Sequence, residues 1–133
     1  STAKAEKRFR QKMFKGESQE ALQIVARDFF KTATGLCGRV KFSSVDLVRD
    51  AMGRAELDHC WGHTHKDKDG TIVIQIRSSL LIRGPFSLIV HTVGHELVHA
   101  VQIREGRASC GLHEREFEAF SWMLIRSAAV LAV

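Results

Sequence analysis

Apolar positions between residues 18 and 30 recur with a helical period. Leu22, Val25, Ala26 and Phe29 fall at i, i+3, i+4 and i+7 and make one continuous stripe. Ser18 is suited to cap this helix, Glu20 sits in its first turn, and Gly35 and Gly38 close the segment. Ahead of it, residues 3–15 are rich in Lys, Arg and Ala, which predicts a basic helix or arm over 1–16, ending near Gly16.

From Val40 the period shortens. Val40 and Phe42 predict a short strand, and Val45–Met52 fits either a helical turn or a strand. Residues 55–65 and 71–77 predict a strand pair, because Lys66-Asp67-Lys68-Asp69-Gly70 between them is a polar turn ending in Asp-Gly. In the second strand Ile72, Ile74 and Ile76 alternate with Val73, Gln75 and Arg77, giving one apolar and one mixed face.

Gly84-Pro85 predicts the start of a third helix with Pro85 at its first position. Phe86, Ile89, Val90, Val93, Leu97, Ala100 and Val101 supply the buried stripe. A loop from Arg104 to Gly111 then leads to a last helix from about His113, with Phe117, Phe120, Leu124 and Ala128 inward. Helices, then strands, then helices read as an α+β domain with a small antiparallel or mixed sheet.

Length and composition add bounds. The 133 residues fit one domain, and 44% hydrophobic with 26% charged residues is ordinary for a globular chain. Cys37, Cys60 and Cys110 are an odd number without paired spacing, which points to free thiols in a reducing, cytoplasmic compartment. No apolar run is long enough for a membrane span. The net charge of +5 draws on Lys4, Lys7, Arg8, Arg10, Lys12 and Lys15, so weak, sequence-independent DNA contact is expected there.

The chemistry is concentrated in the third helix. His95 and His99 are four residues apart, so both imidazoles leave one helix face and can meet one zinc ion. Glu96 lies about 100° round the helix, off the metal axis but within reach of a metal-bound water as general base. His91 continues the series, yet about 12 Å of helix rise separates it from His99, so it is a neighbour and not a ligand of the same ion. The third ligand must come from elsewhere, and the last helix offers His113 and Glu116, which share a face. His113 completes a His₃ set and Glu116 a His₂Glu set. The chain lacks tyrosine, so His63, His65, His91 and Arg115 are the candidates for substrate or oxyanion contact.

These segments resemble the SprT-like zinc metallopeptidases, the family that includes the Spartan DNA–protein crosslink proteases. Thr92-Val93-Gly94-His95-Glu96-Leu97-Val98-His99-Ala100 is similar to the family's active-site helix. Asp50-Ala51-Met52-Gly53-Arg54-Ala55, Ile72–Leu81, and His113 with Phe117 follow in the family's order, although Glu114 stands where the family has glycine. The resemblance implies a zincin-like fold, one zinc per chain and hydrolysis of protein or peptide substrates by a zinc-bound water that Glu96 activates. By analogy with zincins it makes the Ile72–Arg77 strand the edge that pairs with an extended substrate. Glu116-Phe117-Glu118-Ala119 also resembles the glutamate-zincins, whose downstream glutamate is the third ligand. Two other classes stand beside these: a non-catalytic zinc module, and a basic nucleic-acid binder with an incidental motif.

Overall fold

A computed structural model describes residues 2–30, 40–56, 60–104 and 106. In chain order the elements are α1 (Thr2–Phe14), α2 (Ser18–Phe29), β1 (Val40–Val45), β2 (Gly62–Lys66), β3 (Ile72–Arg77), α3 (Ser78–Arg83) and α4 (Phe86–Arg104). The described residues form an α+β arrangement with one mixed three-stranded sheet in the order β1-β3-β2. The expected last helix from His113, the loop to Gly111 and the Gly35–Gly38 stop lie outside the described residues.

β3 pairs parallel with β1, from Val40↔Ile72 to Val45↔Arg77, and antiparallel with β2, from Gly62↔Ile76 to Lys66↔Ile72. The expectation that β3 is a substrate-pairing edge is therefore corrected: β3 is the central strand. Its Ile74 and Ile76 are fully buried, and a strand so apolar is stable only between two neighbours. The polar β2, Gly-His-Thr-His-Lys, takes the edge. It is also shorter than the predicted 55–65 strand, because Ala55 bridges back to Arg49 and does not join the sheet.

The Asp-Gly turn forms as the pattern predicts. Asp67 N–H donates to the Thr71 carbonyl at 2.9 Å, and Gly70 takes φ +88°, a left-handed conformation open to glycine.

α2 and α4 cover the isoleucine face, and α1 packs on α2. Phe9, Leu22, Val25, Ile74, Ile76, Ile89, Val93 and Leu97 make one contiguous core between them. The predicted α2 stripe is buried in full. On α4, Val90 and Val101 are only partly buried, whereas Gly94, Glu96 and Val98 are buried, so the packed face extends further towards the sheet than apolar residues alone indicate.

Three local readings change. α2 begins at Ser18 itself, with Glu17 as the cap residue and no side-chain cap bond. Pro85 precedes α4 and is not its first residue: its carbonyl accepts from Leu88 N–H at 3.1 Å and Ile89 N–H at 3.2 Å. α3 is an added element whose Leu80 and Leu81 are buried, and its end is closed from outside. Arg10 donates from Nη1 to the Leu81 carbonyl at 2.9 Å and from Nη2 to the Gly84 carbonyl at 3.1 Å. Those carbonyls belong to the helix end that has no partner of its own.

On the opposite sheet face, Gln75 ties the sheet to the 46–56 segment. Gln75 accepts from Arg49 N–H at 3.1 Å and donates Nε2–H to the Arg49 carbonyl at 2.8 Å, as a neighbouring strand would.

Candidate metal and catalytic site

His95, Glu96 and His99 all lie on α4, midway along its 19 residues. The two imidazoles are half-buried, with ring centroids 5.1 Å apart and planes at 75°. His99 Nδ1 lies 3.1 Å from Gln102 Oε1, and Gln102 is only 5% exposed. A hydrogen bond from Nδ1 to this amide oxygen would leave Nε2 as the nitrogen available to a metal. The donor types, their spacing and this outer hydrogen bond all fit a zinc ion.

The third ligand is a different matter. His113, Glu116 and Arg115 lie outside the described residues. Among the described residues no group of three or more His, Cys, Asp or Glu side chains has metal-holding geometry.

Glu96 does not face solvent. It is 5% exposed, and the edge strand holds it. Thr64 Oγ1 donates to Glu96 Oε1 at 2.8 Å and lies 3.2 Å from the Glu96 backbone carbonyl. A Cβ added at Gly62 would fall 3.0 Å from Glu96 Cγ and 3.2 Å from Oε2, so the missing side chain makes the space the carboxylate uses. Burial pushes the Glu96 carboxyl up to about 7, with the Thr64 hydrogen bond pulling the other way.

A second glycine fixes the helix itself. A Cβ at Gly94 would sit 2.6 Å from Phe30 Cζ, so this residue lets α4 close on the ring at the end of α2.

Alternation along β2 sends Gly62 and Thr64 to the Glu96 side, and His63 and His65 to the other. His65 Nδ1 lies 3.5 Å from Gln75 Nε2, and His63 Nδ1 lies 3.7 Å from Glu56 Oε1. Desolvation holds the His63 imidazole below its ordinary value, with the Glu56 carboxylate opposing. The two histidines therefore leave β2 on the face opposite to the one that meets Glu96. His91 is exposed on α4, one turn before His95.

Sequence reasoning missed Gly62, Thr64 and Gln102. The signal for the first two was the β2 register: once Thr64 pairs with Ile74, it must share the face that packs on α4. The adjacent histidines hid it.

A separate surface lies on α1. Phe9 is buried, and on the side away from it Lys4, Lys7, Gln11, Phe14 and Lys15 are all exposed, Phe14 at 93%. Lys7, Arg10, Gln11, Phe14 and Lys15 line a surface cleft of about 560 Å³.

No protein-family model matches the chain, and no curated protein or solved structure shows similarity to it.

Proposed function

We propose that the chain is a zinc-dependent metallopeptidase with a zincin-like, SprT-like fold, acting on protein or peptide substrates. The observation that carries this reading is a buried carboxylate on the same helix as two imidazoles whose rings lie 5.1 Å apart. A helix carrying these groups beneath an antiparallel edge strand supports the zincin comparison. The reading keeps the cytoplasm as the compartment. Among the described residues no helix is long and apolar enough to cross a membrane.

His95 and His99 would hold the ion through ring nitrogens, with His113 or Glu116 as the third donor. Zinc bound there supplies Lewis acidity, which makes water more acidic and polarises a carbonyl. Glu96 takes a proton from the attacking water and returns it to the leaving amine. Burial raises the carboxyl above its ordinary range, which makes it a better proton acceptor than an exposed glutamate. The free side of β2 offers main-chain groups to an extended peptide, since no other described strand pairs there.

The test is Glu96→Gln, assayed for zinc content, thermal stability and cleavage of an unfolded protein. Glutamine keeps the shape but cannot take the proton, so cleavage should fall by about 10²–10⁴-fold with zinc retained. Cleavage at the parent rate would remove Glu96 as the base and end this reading.

A second reading concerns partners. We propose that α1 contributes weak, sequence-independent contact to DNA. The exposed lysines meet phosphates, and Phe14 offers a face for an unpaired base. Binding should weaken steeply with salt, and Phe14→Ala should reduce it on single strands more than on duplex. Salt-insensitive binding would count against this contact.

A further inference from the structure

Helix α4 alone does not determine where the Glu96 carboxylate points. A glutamate on a helix has several rotatable bonds, and each unfixed bond spreads the carboxylate over positions useless for proton transfer. The two restraints come from another element. Thr64 Oγ1 donates to Oε1 at 2.8 Å, and Gly62, two residues earlier on the same face of β2, leaves room for Cγ and Oε2.

We infer that Thr64 is a positioning residue for Glu96, and that Gly62-His63-Thr64 forms a cradle on the edge strand that sets the direction of the base. This rests on the peptidase reading for its catalytic meaning, but the cradle itself does not. Thr64 is 6% exposed, and among the described residues its hydroxyl meets only Glu96, at the carboxylate and the backbone carbonyl. Its own backbone is fixed by pairing with Ile74, a fully buried residue of the central strand. The carboxylate is thereby referenced to the sheet and not to solvent. A residue of the same shape without a hydroxyl keeps the packing and removes only the restraint.

The experiment uses the full chain with Thr64→Val and Thr64→Ser. Valine keeps the β-branched shape of threonine without its hydroxyl and suits a strand, while serine restores the hydroxyl alone. In the zinc-loaded protein, Thr64→Val should lower kcat at least tenfold with KM and zinc content unchanged, and Thr64→Ser should recover most of the loss. A folded, zinc-loaded Thr64→Val protein with the parent kcat would overturn the inference.

A second readout needs no activity. In the zinc-free chain, Thr64→Val should shift the denaturation midpoint by a different amount in the parent and in a Glu96→Ala background, where only the hydroxyl's contact with the backbone carbonyl remains. Equal shifts in both backgrounds would overturn the cradle even if the protein proves to be a peptidase. If the parent cleaves no substrate but the shifts differ, the cradle stands and the peptidase reading fails.

Discussion

His99 and Gln102 are joined at 3.1 Å, Nδ1 to Oε1, one helical turn apart on α4. An imidazole held in this way presents its other nitrogen in one orientation, and a buried amide keeps water from competing. Gln102→Ala should therefore weaken zinc binding by about 10–100-fold without abolishing it. His95→Ala and His99→Ala should each abolish tight binding. Competition with a chelator of known affinity measures all three, and full zinc content in the double histidine variant would sink the assignment.

For the third ligand, His113→Ala should weaken zinc binding far more than Glu116→Ala. The same chelator competition decides it. The reverse order would make the chain a glutamate-zincin and remove the SprT comparison.

The zinc-free protein should lose stability as pH rises towards neutrality. Glu96 ionises near its ordinary 4.5 in the unfolded chain and at about 7 in the folded one. Between those values the folded state binds more protons, so raising the pH favours unfolding. The contribution is fully present below about 4.5 and is lost as pH passes 7, with an upper limit of about 3 kcal/mol. Urea midpoints measured with chelator from pH 4.5 to 8 should show this slope in the parent and a flatter one in Glu96→Gln. Parallel slopes would show that burial does not perturb Glu96.

Gly94→Ala sets two effects against each other. Alanine is the better helix former by about 1 kcal/mol. Its Cβ, however, would lie 2.6 Å from Phe30 Cζ and 2.7 Å from Cε1, on a ring that is 1% exposed. The ring has little room to yield, so a net loss of about 1–3 kcal/mol is expected in thermal denaturation. Phe30→Leu should recover part of it. A Gly94→Ala protein as stable as its parent would mean that the two helices can separate at no cost.

Much of this arrangement is legible in the order of residues alone. The α2 stripe, the Asp-Gly turn and the α4 helix each follow from a local rule, because period and turn chemistry act over a few residues. The central place of β3 does not follow from such a rule: parallel pairing with β1 joins residues 32 apart, from Val40 to Ile72, and no local signal announces it. α3 is hidden because it follows β3 without a break and, at six residues, is too short to show a helical period. In the candidate site, His95, Glu96 and His99 are announced by spacing alone. Thr64 and Gly62 are not, since their importance arises only when β2 and α4 are laid face to face.

That pairing pattern also bears on the order in which the molecule assembles. β2, β3, α3 and α4 are consecutive between Gly62 and Arg104, and the first two are joined by a short turn. Contacts of low sequence separation close first because little chain entropy opposes them. Thr64 and Glu96, 32 residues apart within this stretch, can therefore meet without waiting for the N-terminal half. β1 must close a loop of similar length to reach β3, and α1 and α2 arrive on a face already formed. Substitutions at Thr64 or Ile74 should accordingly slow folding, whereas substitutions at Phe9 or Val25 should mainly speed unfolding. Thr64, His95, Glu96 and His99 thus share one stretch, Gly62 to Arg104, whose elements can pair with one another without the N-terminal helices.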